Sequence, residues 1–204
     1  MRVADCLGDV DYADLIMGID WVTANAVKPA VANISLGGSP STTVDQALRD
    51  SIASGITYGV AAGQNGDTHV AEDACGWSPA RVSEAITVGS TRKNDAKAYD
   101  SNFGTCLDIF AAPGVGIKSA WSTSDIATRV GSGTSMATPH VVGAAALYLG
   151  ANPAATPQQV RDALVTALTP NKVTSRGPGS PNRASLHNRR CTDARFCFRC
   201  LGPQ

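Results

Sequence analysis

Charge of a dominant sign is missing from this 204-residue chain: 17 basic residues balance 17 acidic ones, and charged residues make up only 17% of it. Whole-chain charge therefore argues for neither a nucleic-acid partner nor an anionic membrane surface. Long apolar runs are missing too. The longest, Val141 to Leu149, is nine residues and Ala-rich, far short of the ~20 residues a membrane span needs. No targeting signal opens the chain: Met1-Arg2-Val3-Ala4-Asp5-Cys6 leads directly to Asp9, Asp11 and Asp14, without the basic start, apolar stretch and small-residue cleavage site of a secretory leader. These first residues read as a strand end, a loop and a helix start, an opening in mid-pattern that is expected of a fragment. Disorder is excluded by a 43% hydrophobic content at zero net charge.

What is present fits one domain able to bury a core, with 20 Gly and 11 Pro marking many turns. Six cysteines stand at 6, 75, 106, 191, 197 and 200, more than a reducing cytosol favours in a chain without a metal. Cys75 and Cys106 lie in Gly/Asp-flanked loops that suit a disulfide; buried free thiols are the alternative. The last 34 residues differ in composition, with seven basic residues against Asp193 alone. There His187, Cys191, Cys197 and Cys200 imitate a zinc knuckle. No second pair at ligand spacing supports that, and a disordered tail over 186–204 is the preferred expectation.

The pattern between predicts alternating helices and strands. Apolar positions at Leu15, Ile16, Ile19, Val22 and Ala26 recur near a 3.6 period. Strands are predicted at Ala30–Leu36, Ile56–Ala62, Ala85–Gly89, Leu107–Ala111 and Arg129–Ser132. A second helix is predicted from Thr43, with Gln46 completing a capping box, a third over 134–150, and a last one opened by Thr156-Pro157-Gln158-Gln159. Short helix–strand alternation implies right-handed crossovers and a mostly parallel sheet. Working loops then lie beyond the strands' carboxyl ends, at Leu36-Gly37-Gly38, Ala62-Gly63-Gln64 and Gly131-Ser132-Gly133.

The stretch Gly133-Thr134-Ser135-Met136-Ala137-Thr138-Pro139-His140 carries the most chemistry. It places Ser135 at or next to a helix start, where main-chain N–H groups and the helix dipole favour negative charge. A nucleophilic serine needs that, because attack on a carbonyl creates an oxyanion beside it. Pro139 is expected only within the first turn. Three roles stay open at this level: a nucleophile, a helix cap, and part of a phosphate loop, which lacks the Gly-Lys-Ser/Thr signature.

This octapeptide resembles the nucleophile motif of subtilisin-like serine proteases (subtilases). It is joined in order by Asn33-Ile34-Ser35-Leu36-Gly37-Gly38, Ser78-Pro79-Ala80 and Asp108-Ile109-Phe110-Ala111-Ala112-Pro113-Gly114, which also resemble family segments. The likeness is to the proteinase K-like secreted branch and covers residues 1–185. It implies an α/β, three-layer subtilisin-like fold with a mostly parallel sheet, here a partial catalytic domain incomplete at the N-terminus.

The implied activity is peptide-bond hydrolysis through an acyl-enzyme on Ser135. The family triad runs Asp, His, Ser, but neither an Asp-Thr/Ser-Gly nor a His-Gly-Thr-His motif occurs in this sequence. This chain is expected to be inactive alone; a non-catalytic peptide-binding or degenerate fragment is the rival. Of the three histidines, His140 is expected to be a buried, hydrogen-bonded residue, His69 stands in the long loop where the family offers no base, and His187 lies in the tail. Gln64 takes the place of the family's oxyanion-donating Asn, with the following Asn65 as the alternative. An extended peptide is expected on Ser35, Leu36 and Gly37, with Ala61, Ala62 and Gly63 lining the pocket for an apolar or aromatic side chain.

The resemblance also implies a Cys75–Cys106 disulfide, a former partner for Cys6, and a structural calcium on Ser83, Ala85 and Asp108, Asp108 as a plain surface carboxylate being the alternative. No organic cofactor is implied. The remaining expectations are a secreted monomer, a protein or peptide substrate, and no nucleic-acid or membrane partner.

Overall fold

The computed structural model describes residues 2–64 and 70–184. Asp11 opens the first helix, α1 (Tyr12–Asn25), by accepting the Ala13 N–H on its side chain. Strand β1 (Ala30–Ile34) follows. Helix α2 (Thr42–Ala53) begins two residues earlier than the sequence suggests: its cap is Ser41, whose hydroxyl accepts from Val44 N–H, in place of a Thr43 box. Gly55 ends α2 and leads into β2 (Ile56–Ala61), buried along its whole length. Then come β3 (Ile86–Thr91), β4 (Ile109–Pro113), a hairpin of β5 (Ile117–Ala120) and β6 (Thr128–Gly131), helices α3 (Thr134–Ala151) and α4 (Pro157–Ala167), and two short strands, β7 (Thr169–Pro170) and β8 (Arg183–Ala184). The capping box at Thr156 and Gln159 forms in both directions.

The main sheet runs β1-β2-β3-β4-β8-β7. β1 to β4 are parallel, with Ala30 beside Ile56 and Gly59 beside Ile86, and only β7 runs antiparallel to its neighbour. Helices cover both faces, giving the three layers that a parallel sheet requires. On one face Leu15, Ile19, Val44, Leu48 and Ile52 from α1 and α2 pack on Ile34, Ile56, Tyr58 and Val60. On the other, Ala137, Val141, Ala144 and Leu149 of α3 and Val160 and Leu164 of α4 pack on Ile86, Val88 and Ile109. α3 packs directly over Gly59, whose missing side chain leaves room for Val142: a Cβ there would stand 2.5 Å from Val142 Cγ2. That seat fixes where the N-terminus of α3 emerges, beside the carboxyl ends of β1 and β2.

Three features depart from the sequence reading. β5, β7 and β8 were not foreseen. Pro139 lies at the sixth position of α3, in its second turn. His140 is exposed, with Nδ1 2.9 Å from the Met136 carbonyl, so it is hydrogen-bonded but not buried.

Candidate active site

Gly133 is the N-cap of α3 and offers no side-chain cap to the helix. Ser135 is therefore the second helical residue, and the capping role falls away. No N-cap side chain covers this mouth, and the positive end of an 18-residue helix faces the cleft. Ser135 is half-buried. Its hydroxyl donates to the Ser35 carbonyl at 3.0 Å, and the Ser35 hydroxyl donates back to the Ser135 carbonyl at 3.0 Å. Asn33 Nδ2 in turn donates to Ser35 Oγ at 2.8 Å.

The reciprocity has a covalent origin. A residue at position 139 would normally donate its N–H to the carbonyl of residue 135, but proline has none. Ser35 supplies the missing donor from the end of β1. A mid-helix proline thus ties the serine-bearing turn to the rim of the sheet.

Ser135 opens onto a cleft of about 230 Å³ whose walls include Leu36, Gly37, Ala61, Ala62, Gly63 and Gln64. Ser35 lies just behind this wall. Trp77, Met136 and Ala80 contribute further apolar surface; Trp77 was not foreseen, although it immediately precedes the Ser78-Pro79-Ala80 signal. The 77–81 segment is pinned in place. Ser78 and Gly38 exchange both main-chain hydrogen bonds, Ser41 N–H donates to Ser78 Oγ, and Arg81 Nε reaches the buried Asp45 carboxylate at 2.6 Å.

Gly63 turns the chain into the site with φ +85°, a conformation strained for other residues. Its N–H donates to Thr134 Oγ1 at 3.1 Å. Gln64 follows, and its Oε1 lies 3.7 Å from where a Cβ on Gly133 would stand. The Gln64 carboxamide oxygen thus faces the helix mouth. Asn65 and His69 lie outside the described residues, as do His187 and the cysteines at 191, 197 and 200.

Cys75 and Cys106 form a disulfide with Cα atoms 5.3 Å apart, and Cys6 is an exposed free thiol. Asp108 is not a surface carboxylate. Its Oδ2 accepts the Thr87 N–H at 2.9 Å and its Oδ1 accepts from Arg161 Nε at 3.1 Å. Burial raises its pKa above the usual carboxylate value, opposed by the Thr87 hydrogen bond and the Arg161 charge. Of the other two residues joined to it by resemblance, Ser83 is exposed, with its hydroxyl on Glu84, and Ala85 is buried. Among the described residues, no three His, Cys, Asp or Glu side chains cluster as a metal site, and no helix is long and apolar enough to cross a membrane.

A three-layer α/β/α domain with a serine at a helix mouth, beyond the carboxyl ends of parallel strands, defines a protein of subtilisin-like architecture. The crystal structure of a cold-adapted subtilisin-like serine proteinase superposes with a TM-score of 0.83 at 46% identity, covering 90% of this chain and 64% of that one. The Subtilase family model of peptidases matches residues 2–185, and the chain belongs to that family. It is 55% identical to an extracellular serine proteinase of Thermus sp. (strain Rt41A) over 89% of its length and 43% of the relative's. It is 45% identical to alkaline serine exoprotease A of Vibrio alginolyticus over 100% of its length and 36% of the relative's. A cuticle-degrading serine protease of Arthrobotrys oligospora is 40% identical over 92% of this chain and 45% of that protein. The chain thus spans less than half the length of these curated relatives.

Proposed function

We propose that this chain carries the nucleophile and the peptide-binding half of a secreted serine endopeptidase. The observation that carries the reading is Ser135 Oγ at the mouth of α3, opening onto a cleft walled by Gly37 on one side and Gly63 on the other. An extended peptide pairs with Ser35, Leu36 and Gly37 through main-chain hydrogen bonds. Its side chain before the scissile bond enters between Ala61–Gly63 and Trp77, a small-floored apolar pocket suited to an apolar or aromatic group. Ser135 attacks the carbonyl, and Gln64 with the helix N-terminus steadies the oxyanion.

That reaction needs a base for the Ser135 proton. The hydroxyl's hydrogen-bond partner among the described residues is the Ser35 carbonyl, which is too weakly basic to take it. This observation favours a second reading for residues 1–204 by themselves: a peptide-binding fragment that turns over poorly. A fluorophosphonate probe separates the two. Adduct formation at Ser135 at rates typical of serine hydrolases, abolished by Ser135→Ala, supports the catalytic reading. Labelling no faster than that of free serine, with peptide binding retained, supports the second. An untouched Ser135 together with no peptide binding refutes both.

A structural calcium belongs to the same proposal. The Asp108 carboxylate and the main-chain carbonyls of Ser83 and Ala85 are hard oxygen donors of the kind calcium takes, and Asp108 is anchored on Thr87, two residues beyond Ala85. Arg161 already neutralises this carboxylate, so calcium has to share it and binds more weakly than to an unpaired Asp. The ion's contribution is to tie the β3 entry to the β4 entry; it takes no part in the chemistry.

A further inference from the structure

We propose that Asn102, a residue outside the cleft wall, sets the position of Gln64 and of the pocket floor; this rests on the peptidase reading above. Asn102 is completely buried. Its Nδ2 donates to the Ala62 carbonyl at 2.9 Å, its Oδ1 accepts the Glu72 N–H at 2.8 Å, and its own N–H donates to the Gly63 carbonyl at 3.0 Å. One side chain and its amide therefore hold both ends of the segment between Ala62 and Glu72, and they do so at the two residues immediately before Gln64.

The clamp is rigidly mounted. Lys97 directs its ammonium at the carbonyls of Ala98, Tyr99 and Ser101, fixing the turn that delivers Asn102. The Ser101 hydroxyl accepts from Ser90 N–H on β3. Opposite Asn102, Gly63 is held by Thr134 at the mouth of α3. The left-handed turn at Gly63 is thus gripped from the β3 side and from the helix side at once, and Gln64 projects from the gripped point. The space is tight: a Cβ on Gly63 would stand 3.2 Å from Asn102 Nδ2. A carboxamide is the group that fits, because one end must donate to Ala62 while the other accepts from Glu72.

Asn102→Asp keeps the shape and the Glu72 contact but turns the donor facing Ala62 into an acceptor. Two probes separate the oxyanion position from the pocket: an acetyl-Ala-Ala-Pro peptide ending in the boronic acid analogue of phenylalanine, whose boron becomes tetrahedral and anionic on Ser135, and the same peptide ending in phenylalaninamide. The expected result is that Asn102→Asp weakens the boronate about tenfold more than the amide, the scale of one charge-assisted hydrogen bond. In a Gln64→Ala background this differential effect disappears, because Asn102 acts through Gln64. Amide exchange at Gly63 and Gln64 accelerates while Glu72 stays protected.

An unchanged boronate-to-amide ratio in a folded Asn102→Asp chain overturns the positioning role alone. So does a differential effect that persists without Gln64. No boronate adduct on the wild-type chain that still binds the amide overturns the peptidase reading and this role with it. Should the aspartate variant fail to fold, Asn102→Ser, which removes both side-chain bonds and keeps the main-chain one, takes its place under the same criteria.

Discussion

Replacing Ser35 by alanine tests whether the Pro139 gap in α3 is what binds the serine-bearing turn to β1. The substitution deletes the donor to the Ser135 carbonyl and leaves the Ser35 carbonyl, and hence the Ser135 hydroxyl's acceptor, in place. A neutral hydrogen bond contributes about 0.5–1.5 kcal/mol net, and an orphaned buried acceptor costs about 1–3. Ser35 and Ser135 are only half-buried, so water partly replaces the lost donor and the expected cost is about 1 kcal/mol, or ~2–4 °C in Tm for a chain of this size. The decisive comparison is with Pro139→Ala. Alanine restores an N–H at 139 that bonds the Ser135 carbonyl in the ordinary helical way, and in that background Ser35→Ala is expected to cost no more than about 0.3 kcal/mol. Urea unfolding of the four proteins, followed by tryptophan fluorescence, gives the coupling directly; about 0.5–1 kcal/mol is expected for groups that compete for one acceptor, here the Ser135 carbonyl. Equal costs of Ser35→Ala with and without the proline would refute the argument and reduce the Ser35 contact to an incidental one.

Removing the Cys75–Cys106 disulfide by a double serine substitution frees a loop closed over 31 residues, and chain-entropy reasoning puts the loss at about 3–4 kcal/mol, read as a fall in urea midpoint together with a higher m-value, because the freed unfolded chain exposes more surface. Asp108, its folded pKa raised mainly by burial, penalises the folded state fully above that pKa; the penalty lifts as pH falls through it and is gone below the unfolded value near 3.8. The stability of wild type relative to Asp108→Asn is therefore expected to improve on acidification from neutrality to about pH 3; urea midpoints across that range check it, and a wild type that loses ground to the variant would contradict it. Calcium at ~100 times its dissociation constant is expected to stabilise the chain by about 2.7 kcal/mol, reversed by chelator and absent in Asp108→Asn; a thermal scan indifferent to calcium refutes the site.

Much of the fold was legible because the elements that make it announce themselves locally. β2 and β3 are buried throughout and read as short apolar runs bounded by glycine. The capping box at Thr156 is written in four consecutive residues. What stayed hidden is defined by a partner distant in sequence. β5 is mostly exposed and is a strand only because Ile117–Ala120 pairs with Thr128–Gly131; β7 and β8 are two residues each and exist only through each other and β4. Asp108 looked like a surface carboxylate or a calcium ligand, and its Arg161 partner is 53 residues away. The rule confining proline to a first turn failed at Pro139 because it assumes that the freed carbonyl goes unserved, whereas Ser35, 100 residues earlier, serves the Ser135 carbonyl. At the site, the motif residues stood out, but Trp77 and Asn102 did not: nothing marks a lone aromatic as lining a cleft, or a buried asparagine as standing behind one, until the segments converge.

That convergence also separates binding from chemistry in this chain. The cleft is assembled from the ends of β1 and β2, the 77–81 segment and the first turn of α3, and each piece is tied to another by bonds within the described residues: Ser35 to Ser135, Gly38 to Ser78, Gly63 to Thr134 and to Asn102. None of these ties involves a histidine or the Ser135 hydroxyl's role as a nucleophile. On the proposed function, peptide affinity rests on these ties among the described residues, whereas acylation depends on a proton acceptor that the Ser35 carbonyl cannot replace. Ser135→Ala should therefore abolish fluorophosphonate labelling while altering the affinity for acetyl-Ala-Ala-Pro-phenylalaninamide less than about threefold, since it removes one hydrogen bond to a carbonyl that a bound peptide N–H can use instead. A collapse of peptide affinity in that variant, measured by isothermal calorimetry with the fold verified by circular dichroism, would show that the nucleophile also holds the cleft together, and the separation argued here would be wrong.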